Sequence, residues 1–231
     1  MKKIIIACVA FITLSFSANA QDADALVKKV KAKLEQVNDY VAEGKMKTDV
    51  AFIKAPIGKV KIYYQKPNKL KLVKDKGISI LPKGGVSINS SSVLGLTNYT
   101  AIDAGEQVLN GTKVKVVKLL PLDDASDIVI TTLYIDEVQL LIKKSATTTK
   151  ENGSFEMEMY YGNYANLGLP DKMIFSFNVK DYKMPKGVTL DFDDDMKPEE
   201  KLKLKKKKGR VEFIYTSYII NKGIDPAIFK G

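Results

Sequence analysis

At 231 residues, with a formal charge of +10, one cysteine and no histidine, the chain lacks the usual equipment of catalytic and metal centres. Without histidine it has neither the commonest general base nor the commonest metal ligand, which excludes the usual catalytic triads and zinc sites. The single cysteine, Cys8, can form no internal disulfide, so stability has to come from packing.

The first residues follow the three-part pattern of a secretory signal. Lys2 and Lys3 are followed by an apolar stretch from Ile4 to Phe16, and the small-residue triplet Ala18-Asn19-Ala20 precedes Gln21. The apolar run is shorter than the ~20 residues that span a bilayer. A lipid anchor on Cys8 would leave only three apolar residues before the processing site, too few for an export core. Residues 1–20 are therefore predicted to be a cleaved signal peptide, cut after Ala20, which directs the protein to the bacterial periplasm. Subtracting these 20 residues from 231 leaves 211, and subtracting the two signal lysines from +10 leaves +8. For an exported protein this surplus suits solubility or attraction to an anionic membrane surface better than nucleic acid.

Leu26, Val30, Leu34, Val37 and Val41 recur every three or four residues, with lysines between them, and predict a helix with one buried stripe from Asp24 to Val41. From Lys45 the period changes to two. Met46, Thr48, Val50 and Phe52 alternate with polar positions. Val60, Ile62 and Tyr64 alternate with Lys59, Lys61 and Tyr63, and Leu70 and Leu72 alternate with Lys69 and Lys71 after a turn at Pro67-Asn68. Three short strands joined by turns predict an antiparallel meander with one apolar face and one lysine-rich, wet face.

Further strands are predicted over 78–81, 113–120, 128–135, 138–145, 155–164 and 173–179. Residues 84–105, rich in Gly, Ser and Asn yet containing Val93, Leu94 and Leu96, read as a mobile surface loop, with or without a short helix, that offers apolar side chains. The acidic run Asp191 to Asp195 lacks the glycine and distal glutamate of a calcium loop and reads as a solvated turn facing nearby lysines; no metal site is predicted. Lys201 to Lys208, with Leu202 and Leu204 interleaved, reads either as an edge strand protected by lysines or as a docking site for anionic headgroups or an acidic partner. A last strand is predicted over 211–220. Ser90-Ser91-Ser92 has no histidine to activate it, and nothing in the sequence points to an enzyme.

Three segments carry a resemblance. Lys59-Val60-Lys61-Ile62-Tyr63-Tyr64 followed by Lys66-Pro67-Asn68 and Leu70 resembles a strand ending in Arg-Pro-Asn before an apolar strand. Pro185-Lys186-Gly187-Val188-Thr189-Leu190-Asp191 resembles a closing Pro-x-Gly-Val-x-x-Asp segment, and Tyr161-Gly162-Asn163-Tyr164 with Gly168-Leu169-Pro170 resembles a Tyr-x-x-Tyr and Pro connection. In this order, behind an export signal and one amphipathic helix, they resemble the LolA-like periplasmic carriers of outer-membrane lipoproteins. The match runs over residues 24–193.

The resemblance implies an α+β fold: a curved antiparallel half-barrel with a long N-terminal helix and a lid over an apolar cavity. The domain organisation expected is a signal at 1–20, a LolA-like domain at 21–195 and a basic extension at 196–231 ending in a strand. Val50, Phe52, Val60, Ile62, Tyr64, Leu70, Leu72, Phe155, Met157, Met159, Phe175 and Phe177 are the candidate lipid-binding residues, since flexible methionines and aromatic rings suit an adaptable apolar pocket. Val93, Leu94 and Leu96 would form the lid. Lys66 stands where the family's lid-tying arginine is expected, without the planar fork of a guanidinium. The implied function is a monomeric carrier of lipoprotein acyl chains or lipid, without a cofactor, loaded by an inner-membrane transporter and unloaded by an outer-membrane acceptor. The alternative is an RseB-like sensor or scaffold built on the same half-barrel.

Overall fold

The computed structural model describes residues 22–49, 57–67, 69–74, 98–151, 153–178 and 208–230. A helix, α1, covers 22–34. Ten strands follow: β1 (Asp39–Asp49), β2 (Gly58–Gln65), β3 (Lys69–Lys74), β4 (Tyr99–Leu109), β5 (Thr112–Pro121), β6 (Ile128–Asp136), β7 (Leu141–Thr149), β8 (Ser154–Tyr160), β9 (Lys172–Asn178) and β10 (Lys208–Ile220). They form one open, curved antiparallel sheet in the order β3-β2-β1-β10-β9-β8-β7-β6-β5-β4. No helix among the described residues is long and apolar enough to cross a membrane.

α1 buries Ala23, Leu26, Val27, Val30 and Leu34 against the sheet. An Asp24–Lys28 ion pair of 2.8 Å, one turn apart, lies on its solvent side. The helix ends seven residues before Val41: its last turn tightens, with Gln36 N donating to the Lys33 carbonyl at 3.3 Å and Val37 N to the Leu34 carbonyl at 3.2 Å, and the carbonyls that follow find partners outside it. Lys66 Nζ donates to the Glu35 carbonyl, and Asn221 Nδ2 donates to the Gln36 carbonyl at 2.9 Å. Asn38 N then donates to Asn221 Oδ1 at 2.7 Å and the chain turns into β1. Val37 thus belongs to the connection and Val41 to a strand.

The predicted meander of β1, β2 and β3 is present, and β1 begins six residues ahead of Lys45. Residues 99–105, expected in a loop, lie in edge strand β4. This strand carries no clean alternation because only Ala101 is buried. It bulges between Asp103 and Glu106, where Gly105 adopts φ +87° and its N–H donates to Asp103 Oδ1 at 2.8 Å. Pairs Asp103–Lys115 at 2.7 Å and Glu106–Lys113 at 2.8 Å put charge along this edge, a feature that discourages pairing with other chains. The expected strand over 138–145 begins instead at Leu141, and the one over 155–164 ends at Tyr160, leaving Tyr161 and Tyr164 in the turn before β9.

The strand expected near the C-terminus is β10, and it lies in the middle of the sheet between β1 and β9 rather than at an edge. After it, a 3₁₀ turn at Pro226–Phe229 meets β3, where Lys71 Nζ donates to the Ile228 carbonyl at 2.6 Å and the Lys69 ammonium lies 5.8 Å from the centre of the Phe229 ring. The strand expected over 78–81, the acidic run Asp191 to Asp195, the lysine run up to Lys207 and the domain boundary at 195/196 lie outside the described residues.

Candidate lipid-binding face

Antiparallel pairing sets residues of one face into rows that cross the strands. One inner row reads Val117, Leu133, Ser145, Met157, Phe175, Val211 and Thr48. A second reads Leu119, Thr131, Thr147, Phe155, Phe177 and Gly209. A third joins Met159, Met173, Phe213 and Met46. At the β3 edge, Tyr64 faces Leu70 and Ile62 faces Leu72. The inner face is mostly apolar, with Thr48, Thr131, Ser145 and Thr147 as the polar members of these rows.

The outer face has a different chemistry. Tyr134, Lys144, Glu158, Ile174, Glu212 and Lys47 form its central row. The ammonium of Lys172 lies 4.2 Å from the centre of the Tyr160 ring, and Ile174 is buried although its row is otherwise polar and aromatic. A groove of about 440 Å³ opens on this side between Glu43, Lys45, Lys59, Lys61 and Thr216. Gly44 and Val60 also line it, but its four charged side chains suit acyl chains less well than the inner face does.

The structure brings ten of the twelve candidate lipid-binding residues into one cluster. Val60, Ile62, Tyr64, Met157, Met159, Phe175 and Phe177 are buried, and Leu70, Leu72 and Phe155 are partly buried against them. The rings of Phe155 and Phe177 each lie 5.5 Å from that of Phe175. Val50, Phe52 and the lid residues Val93, Leu94 and Leu96 fall outside the described residues. The same face holds residues that the sequence analysis did not single out: Tyr40, Leu133, Val211 and Phe213. The alternation of Val211 and Phe213 was a usable signal for two of them.

A tyrosine cluster closes one end of this face. The Tyr40 ring lies 5.1 Å from Tyr64 and 5.5 Å from Tyr218, and Tyr218 lies 4.9 Å from Tyr164 and 5.3 Å from Tyr215. The bulge in β1–β10 at Glu43/Gly44 explains why Tyr215 and Tyr218, three residues apart, both reach the core. Tyr218 donates to the Pro170 carbonyl at 2.7 Å. Burial pushes the hydroxyls of Tyr218, Tyr215 and Tyr40 well above the usual phenol range, with neighbouring tyrosines adding to the shift at Tyr218 and Tyr40.

No family model and no curated protein sequence matches the chain. Solved structures do. A candidate outer membrane lipoprotein-sorting protein domain from Vibrio parahaemolyticus superposes with a TM-score of 0.59 at 13% identity, covering 91% of this chain and 97% of that one. A DUF1329 family protein from Desulfovibrio piger gives 0.57 at 10% identity, with coverage of 91% and 97%. A LolA superfamily protein from Nitrosomonas europaea gives 0.52 at 10% identity, with coverage of 90% and 96%. The fold is LolA-like.

In this LolA-like sheet Lys66 ties strand β2 to the end of α1. Besides the Glu35 carbonyl, its ammonium reaches Asn38 Oδ1 at 3.3 Å. A cation here meets the negative end of the helix dipole. The described contacts of Lys66 are thus with the helix end, while the expected lid residues lie outside the described set. α1 itself covers only part of the LolA-like face. Its thirteen residues span about 20 Å, while ten strands side by side measure about 43 Å.

Proposed function

We propose that this chain is a periplasmic carrier that holds lipid, or the acyl chains of lipoproteins, against the inner face of its half-barrel and delivers them towards the outer membrane. The observation that carries the reading is the one-sidedness of the sheet. Ten candidate residues share one apolar cluster, and the described helix is less than half as long as the sheet is wide. The LolA-like fold, shared with a candidate lipoprotein-sorting domain, supports it. The export pattern of residues 1–20 fits a protein working in the aqueous gap between two membranes.

The mechanism is transfer by affinity. Burying an acyl methylene on this face contributes ~0.8 kcal/mol before ordering costs, so a chain of moderate length is held without covalent chemistry. Because Phe175 and Phe177 are buried in the state described, loading starts at half-buried side chains, Leu70 and Leu72 on β3 or Phe155 on β8, and requires an opening movement. An inner-membrane transporter would supply the clients and an outer-membrane acceptor would remove them. The protein acts as a monomeric binding protein, not an enzyme, and needs no cofactor.

The test is native mass spectrometry of protein recovered from a periplasmic extract under gentle conditions. A mass increment matching lipid or an acylated polypeptide is the expected result. Ligand-free protein that also fails to acquire lipid from mixed micelles would overturn the reading.

A further inference from the structure

Among the inner-face side chains, one polar group stands apart. Ser145 is fully buried, and its Oγ has no hydrogen-bond partner among the described residues. It lies in the row between Leu133 and Met157, with Phe175 next beyond Met157, and is the smallest side chain of that row. Two positions further along β7, Thr147 faces Phe155, and its hydroxyl meets that of Thr131 at 3.1 Å. A two-hydroxyl pair uses one proton between its members, so the other proton is left to donate. The β6–β7 part of this mostly apolar face thus carries three buried hydroxyls, one of them without a partner among the described residues.

A buried hydroxyl without a partner works against folding, and an alanine of nearly the same shape would avoid that cost. Its place opposite Met157, with Phe155 two residues along the same partner strand, gives it a use once a ligand arrives. We infer that Ser145 is a specificity residue that donates its hydroxyl proton to the carbonyl oxygen of a bound acyl group. Thr131 and Thr147 supply the neighbouring donor. The ligand class is then an acyl ester or acyl amide rather than a plain hydrocarbon or an alkyl ether. The carbonyl sits over β7 and the chain runs from there across Phe155 and Met157. A site built to hydrogen-bond a ligand group discriminates against the analogue that lacks it more strongly than apolar packing discriminates by one methylene. The inference rests on the inner face being the acyl site proposed above.

The experiment compares full-length mature wild type with Ser145→Ala against three probes: dioctanoylglycerol (ester), dioctylglycerol ether (no carbonyl) and N-decanoylethanolamine (amide). Each is titrated against a fluorescent fatty-acid analogue bound to the protein. For Ser145→Ala, affinity for carbonyl-bearing probes should fall about three- to tenfold, the loss of one neutral hydrogen bond, with ether binding unchanged. Loss confined to the ester or to the amide assigns the source of the carbonyl. In the absence of ligand the melting temperature should rise by about 2–6 °C, because the unpartnered hydroxyl is gone. A lower melting temperature would mean that the hydroxyl is already satisfied and would overturn the inference. So would equal losses for ester and ether, or no loss for either carbonyl probe. If wild type binds none of the three probes, the carrier reading itself fails, a result separate from any effect of Ser145→Ala.

Discussion

The Phe177 ring lies directly against Gly209 across the β9–β10 pair. A Cβ at residue 209 would run into the ring, 2.7 Å from Cε2 and 2.9 Å from Cε1. Gly209 and Phe177 are both buried, so the ring can move only by displacing its neighbours.

Gly209→Ala should therefore destabilise the protein by about 1–3 kcal/mol, the usual penalty of overpacking, and lower its melting temperature by about 2–10 °C. In a Phe177→Ala background the same substitution should cost close to nothing, since the obstructing ring is absent. Thermal melts of the double-mutant cycle check this; additive losses would show that the two residues do not share a contact.

The half-buried side chains of the inner face should separate binding from folding. Phe155→Gln and Leu72→Gln should reduce acyl-probe affinity at least about fivefold, while costing less stability than changes at fully buried Phe175. Phe175→Glu would put an unpaired charge in the core and is expected to unfold the domain. Probe titration and circular dichroism on the same samples distinguish the two classes.

Lys66→Ala removes the donor that meets the end of α1, and should cost about 0.5–1.5 kcal/mol. Hydrogen exchange should speed up in the last turn of α1 and over 35–38, with strands β5 to β8 unchanged. Lys66→Arg should restore most of the protection.

The pH response follows from the charged and buried groups. Asp103 is held below the usual carboxylate range by hydrogen bonds from Lys115 and from the Gly105 N–H. Its contribution is present above the unfolded value near 3.9 and is lost as pH falls through the lower folded value. The buried hydroxyls of Tyr40, Tyr215 and Tyr218 are shifted upward. Stability linked to their protonated form is complete below about pH 10 and falls as pH rises further. With no histidine in the chain, melting temperature should be nearly level between about pH 5 and 9. Tyrosinate absorbance from these three residues should appear only together with unfolding.

Much of this architecture is legible in period-two alternation, and the misses have physical causes. β5 and β6 match expectation to within a residue because each has a clear core face. β4 was not recognisable because an edge strand with one buried side chain carries no alternation. The helix end was obscured because Val37 and Val41 continue a helical spacing by coincidence, whereas tertiary contacts from Lys66 and Asn221 stop the helix. The shared face of Val60, Ile62 and Tyr64 follows from sequence alone. Their meeting with Phe155 and Phe175 does not, since it depends on β10 inserting between β1 and β9. Ser145 looked like an ordinary polar strand residue. Only its burial and its lack of a partner distinguish it.

The central claim is that acyl chains lie on the inner face of the half-barrel, and photo-crosslinking tests it most directly. A fatty-acyl probe with a diazirine in mid-chain is bound, irradiated and mapped by peptide mass spectrometry. The account predicts adducts at Leu70, Leu72, Phe155 and Met157. Adducts confined to the outer-face lysines Lys45, Lys59 and Lys61, or no adducts under conditions where the probe binds, would contradict it.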